Sequence, residues 1–310
     1  MRIKNYFSLL LVCLFCVAAT SAQGQRTVTV VTEPKASVWL DDILRGKADE
    51  SGKLIIKSVS NGAHKIRIRA DGFKEASHNL LATQKGEVKI ALVTTDDKAE
   101  LAFQEAERLA NSDREKAVAA YRAAIAARPK YAEAHLGLAR VLLAMNNFDG
   151  AFAAIKEARK SRPAYAEASA VEGRIYISAG DEGGEAKAIA AFKRAVTEGK
   201  NFQPEALTGL GLLYKEKAEA AGSEGDYEAE EANYMLAAGY FKKAIAQLGG
   251  APDAITIYQF LGLVYEKMKK YREAIAVYEE FLRAFPDSNE ATAVQSFIVQ
   301  LKKQIREEGQ

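Results

Sequence analysis

Apolar and polar positions follow two different rhythms along this chain, and the change of rhythm divides it. From Arg26 to Val93 the period is near two. Thr27–Thr32, Ser37–Leu40, Lys53–Lys57, Lys65–Ala70 and Glu87–Val93 read as short strands. Glu33-Pro34, Asp41-Asp42, Ser51-Gly52, Asn61-Gly62 and Asp71-Gly72 supply the turns between them. Five such strands in about 70 residues predict a small β-sandwich. In Lys65–Ala70 the side chains of Ile66, Ile68 and Ala70 face a core, which leaves Lys65, Arg67 and Arg69 along the opposite face.

After Thr94-Thr95-Asp96-Asp97, a polar joint whose aspartates can cap a helix, the period becomes helical. The stretch 132–163 shows the unit. Leu138, Leu142 and Ile155 form an apolar stripe, Ala139, Ala151 and Ala158 are small where two helices must approach, and Asn146-Asn147 breaks the pattern between them. Pro129 and Pro163 stand 34 residues apart. Self-similarity at that spacing is the mark of a helix–turn–helix repeat, and five units can be laid down from Lys98 to Pro286. Gly173, Gly211 and Gly262 recur where a paired helix would cross. Insertions are expected near 180–185 and 217–233, and Glu290–Glu308 reads as a capping helix. The fold class is therefore multidomain: an all-β sandwich over 26–94, then an all-α superhelical solenoid over 98–287 with a cap over 289–308.

These helical units resemble the tetratricopeptide repeat, on Leu261-Gly262, Tyr265, Tyr271, Ala274, Tyr278 and Pro286 most plainly. The β region resembles the PEGA domain of bacterial envelope proteins. Thr32–Asp41 (TEPKASVWLD), Ser60–Ile68 (SNGAHKIRI) and Asp71-Gly72-Phe73 carry that resemblance, with Lys35 and Asp42 departing where glycine is usual. The first likeness implies a protein-binding scaffold whose concave face is lined by the first helix of each repeat. Carried over position by position, that face holds Leu136, Arg140 and Leu143, then Arg174 and Ile177, then Thr208, Leu212 and Lys215, then Gln259 and Leu263. Arg140 and Arg174 fall at equivalent positions and should stack, so a peptide bearing carboxylates is the expected occupant. Chaperone-binding repeats clamp a terminal carboxylate with an asparagine. Gly137, Val171, Gly209 and Phe260 stand at those positions here, so that particular mode is not implied.

Composition narrows the setting. Met1–Ala22 has a basic start (Arg2, Lys4), an apolar run from Tyr6 to Val17 and a small-residue end at Thr20-Ser21-Ala22, as a cleaved secretory signal does. Val12 and Phe15 precede the two cysteines where a lipidated bacterial cysteine needs a small residue, which disfavours a lipoprotein. A periplasmic or secreted location is expected. Without those 22 residues 41 basic and 41 acidic residues remain, a balance that argues against a nucleic-acid binder. Residues 23–94 hold twelve basic and eight acidic residues, so Lys65, Arg67 and Arg69 are a candidate face for an anionic polymer or lipid headgroup.

No catalytic constellation stands out. His64, His78 and His135 lack metal-ligand spacing, and Gly209-Leu210-Gly211 has Tyr214 where a dinucleotide loop needs its third glycine. The expectation is a non-enzymatic scaffold without cofactor or metal, holding a protein or peptide of the cell envelope. The alternative is an accessory protein that meets cell wall, polysaccharide or lipid through the β domain, and self-association stays open.

Overall fold

A computed structural model of the chain describes residues 26–308. The secretory signal read at 1–22 lies outside the described residues. Two sheets make the β domain. In the first, β1 (Arg26–Val31) runs antiparallel to β4 (Lys53–Val59) and parallel to β7 (Gly86–Lys89). The second has the order β3 (Ile43–Lys47), β2 (Ser37–Leu40), β5 (His64–Arg69), β6 (Ala76–Leu80). Val28, Val30, Val38, Ile66, Ile68 and Leu80 close the sandwich with no exposed surface. Each contributes about 1.5–3 kcal/mol of apolar burial.

Period-two reading accounts for five of these seven strands and misses β3 and β6. Both are edge strands, hydrogen-bonded on one side, and neither needs a regular apolar face. Lys35 and Asp42, where glycine was usual, adopt φ of 62° each. That left-handed conformation is the one glycine enters freely. At the β2–β3 turn it is held by Asp41, whose carboxylate accepts the Lys65 N–H at 2.9 Å and lies 2.6 Å from His64 Nδ1.

The helices pair in order: α1 (Lys98–Leu109) with α2 (Arg114–Ala127), α3 (Ala132–Ala144) with α4 (Phe148–Ser161), and α5 (Ala166–Ala179) with α6 (Gly184–Glu198). Then come α7 (Pro204–Glu224) with α8 (Tyr227–Leu248), and α9 (Ala254–Lys267) with α10 (Tyr271–Ala284). Asp97 starts the array by accepting the N–H groups of Ala99 and Glu100 at 2.9 and 3.3 Å. Gly173 and Gly262 permit the crossings. A Cβ there would lie 2.7 Å from the Phe192 ring and 2.3 Å from the Tyr278 ring. The stretch expected as an insertion at 217–233 lengthens both α7 and α8, with Gly225 at φ 81° turning between them. Around 180–185 the chain makes a short turn through Gly180 and Gly183, at φ 68° and 70°. α11 (Ala291–Glu308) lays Val294, Ile298 and Leu301 on the last pair.

The β domain docks on the solenoid at two places far apart in sequence. At the near end Gln104 of α1, 4% exposed, accepts the Gly72 N–H at 2.8 Å and donates to the Phe73 carbonyl at 2.7 Å. Arg69 lies over the Phe103 ring, 4.6 Å from its centre. At the far end Ile43 is buried with Leu248, Ile257 and their neighbours in the core of α7–α11. Beside it Arg45 Nη1 donates to the Leu248 carbonyl at 2.8 Å, at the C-terminus of α8 where a cation is favoured. The domain thus bridges the concave side from α1 to α8.

Candidate functional site

Two adjacent cavities lie along the concave side. The first, about 570 Å³, lies between the four-stranded sheet and the first repeats. Trp39, Ile43, Leu44, Arg67 and Arg69 form its roof, and Phe103, Leu136, Arg140 and Arg162 part of its floor. The second, about 590 Å³, runs beyond the β domain over α5, α7 and α9, with Ile177, Leu212, Ile257 and Phe260 as its apolar lining. Glu205, Leu248 and Asp253 border both.

Local sequence explains the placement. Arg140 on α3 and Arg174 on α5 share one carboxylate: Glu205 Oε2 is 2.7 Å from Arg140 Nη2, and Glu205 Oε1 is 3.2 Å from Arg174 Nη1. Glu205 sits in the first turn of α7, where the helix dipole also favours an anion. Burial works to raise its carboxyl, but Arg140 and Arg174 together outweigh burial and hold it below the usual glutamate range. Glu205 in turn draws the Arg140 guanidinium above its ordinary value, against burial. The arginines are therefore committed to an ion pair before any partner arrives.

Of the residues assigned to the groove from sequence, Leu136 and Arg140 line the roofed cavity, and Arg174, Ile177, Thr208 and Leu212 line the open one. Leu143 is buried, and it lines neither cavity; nor do Lys215, Gln259 and Leu263. Lys215 pairs with Glu219 at 2.8 Å. On α9 the lining comes from Thr256, Ile257 and Phe260, with Thr256 and Phe260 matching Glu205 and Gly209 of α7. Sequence reasoning passed over Glu205, Asp253 and Phe260, and also Ile43 and Leu44, whose partners lie too far along the chain to leave a local signal.

The basic β5 face is not an open one. Trp39 and Arg67 are cross-strand neighbours, and the Arg67 guanidinium lies 4.3 Å from the Trp39 ring centre. Glu75 accepts from Arg67 at 3.1 Å and from Arg69 at 2.5 Å, and Asp42 is 3.3 Å from Arg67 Nε. Only Lys65 of the three is fully exposed. His135, buried on α3, has Nε2 3.0 Å from the Pro129 carbonyl, a packing arrangement. Among the described residues no group of three or more His, Cys, Asp or Glu side chains could hold a metal ion. No described helix is long and apolar enough to cross a membrane.

Stacked antiparallel helix pairs with a continuous core and a concave lining define an α-solenoid of helical repeats. Residues 108–175 and 255–288 match models of the tetratricopeptide repeat, and the chain carries such repeats. No curated protein matches the sequence. Among solved structures, yeast Tom70 superposes with a TM-score of 0.53 at 16% identity, over 68% of this chain and 41% of that one. The Cut9–Hcn1 hetero-tetramer of the APC/C gives 0.50 at 16%, over 67% and 37%. TTC0263, a thermophilic TPR protein of Thermus thermophilus, gives 0.49 at 20%, over 65% and 99%. The first two likenesses establish the solenoid fold.

Proposed function

We propose that this chain is an exported, non-enzymatic interaction scaffold of the bacterial cell envelope that holds a segment of another protein in its concave groove. The observation that carries this reading is the open cavity over α5, α7 and α9, with Ile177 and Leu212 on a solvent-facing apolar lining and a polar rim. Exposed apolar surface of that kind in a concave site is what a partner side chain would cover. The secretory pattern at 1–22 and the resemblance of the β domain to an envelope module support the location.

The reading that places an anionic polymer or lipid on Lys65, Arg67 and Arg69 has less support, since Arg67 and Arg69 direct their charge at Glu75 under the roof. The test is site-specific photo-cross-linking at Thr208 in envelope extract, with the wild type and with Ile177→Ser plus Leu212→Ser. A discrete adduct lost in the double variant, with its helical melting transition retained, is the expected result. An adduct of unchanged yield would remove the groove from consideration.

A further inference from the structure

The cations of the groove are all engaged, and its unengaged charges are acidic. Arg140 and Arg174 share Glu205, Arg162 pairs with Glu133, and Arg67 and Arg69 pair with Glu75. Glu216 and Asp253, on the rim of the open cavity, are exposed and make no hydrogen bond or ion pair. Asp253 stands at the N-cap position of α9 yet its side chain caps nothing. Glu167, on the floor of the roofed cavity, is likewise unengaged.

A second observation points the same way. The chain already seats a segment of its own on this rim: β3 buries Ile43 beside Leu248 and lays the Arg45 guanidinium on the Leu248 carbonyl. Leu248 borders both cavities, so the rim beside the open groove already accepts apolar and basic side chains from one extended strand.

We infer that the open groove selects an extended segment alternating apolar with basic side chains, the apolar ones on Ile177, Leu212 and Phe260 and the basic ones at Glu216 and Asp253. This rests on the groove being the partner site, and it reverses the expectation of a carboxylate-bearing peptide. That expectation came from Arg140 and Arg174 taken alone; Glu205 already holds a donor of each, so an incoming carboxylate meets a pair of cations partly neutralised by a fixed anion. An incoming cation meets exposed carboxylates that make no ion pair within the protein.

The test uses the purified protein and two fluorescein-labelled peptides of equal length, one alternating Leu and Lys, the other Leu and Glu, read by fluorescence anisotropy at low and high salt. The Leu/Lys peptide is expected to bind about tenfold tighter at low salt, the product of two partly screened charge contacts, and to lose that margin as salt rises. Glu216→Gln with Asp253→Asn should erase the preference without lowering the melting temperature, because both side chains are exposed. A Leu/Glu peptide that binds as well or better, a preference that survives in the neutralised variant, or no binding by either peptide overturns the inference. Ile177→Ser with Leu212→Ser separates the two levels. If it weakens a Leu/Glu peptide that wins, the groove is the site and only its charge preference is wrong. If it leaves the binding of both peptides unchanged, the groove reading itself fails.

Discussion

The groove under the β domain and the groove beyond it come from the same repeat geometry, yet they do different things. Under the roof, Trp39, Arg67 and Arg69 face Phe103, Glu107 and Arg140, and their charges are largely paired within the protein. Beyond it, exposed Ile177 and half-buried Leu212 and Phe260 line the groove, with unpaired acids at the margin. A solenoid offers a concave surface along its whole length; here one domain of the chain takes up half of it. A repeat surface is thus read correctly only after asking what the rest of the same chain has placed against it.

The largest effect that would break this comparison is at the far anchor. Ile43→Asp puts a carboxylate into the α7–α11 core and should cost about 3 kcal/mol of docking. The domain should swing away from α8 while each part stays folded, seen as an increased radius of gyration in solution scattering. An unchanged scattering curve would mean that the near anchor alone fixes the roof. Next is that near anchor: Gln104→Leu strands the Gly72 N–H and the Phe73 carbonyl, and should lower stability by about 2 kcal/mol in denaturant unfolding. A smaller loss would show that water replaces the glutamine.

The smallest effect lies at the seam between the halves and depends on pH. The Glu205 carboxyl is held below its unfolded value, so its contribution is complete above the ordinary glutamate value of about 4.3 and is lost as pH falls through the depressed folded value. Glu205→Gln should therefore melt below the wild type near neutrality, and the gap should close as the solution is acidified beneath about pH 4. A gap independent of pH would assign it to packing instead of charge.

Much of this architecture was legible because it is local. The repeat pattern matches large against small residues, Gly173 against Phe192 and Gly262 against Tyr278, and both partners sit within neighbouring helices. The equivalence of Arg140 and Arg174 followed from the repeat period as well. Glu205 recurs too, at the position of Glu133 and Glu167 in the first turn of each leading helix, but its pairing with Arg140, 65 residues away, is not written in that recurrence. The strand β3 was overlooked for the same reason: Ile-Leu-Arg-Gly-Lys has no clean alternation, since Ile43 and Arg45 answer to Leu248, with Arg45 lying 203 positions from its acceptor. The run 217–233 adds its residues to the ends of α7 and α8, because Ala and Glu on both sides of Gly222 and Gly225 sustain helix.

Trp39 is the only tryptophan in the sequence, and it lies beneath two guanidinium groups in the ceiling of the roofed cavity. Every photon of indole emission from this protein therefore originates at the seam between its two domains. Lifting the roof would hydrate that ring and move its emission to longer wavelength, and melting of α7–α11, which hold Ile43, should do the same. The molecule carries its own optical gauge of closure, with no label to attach.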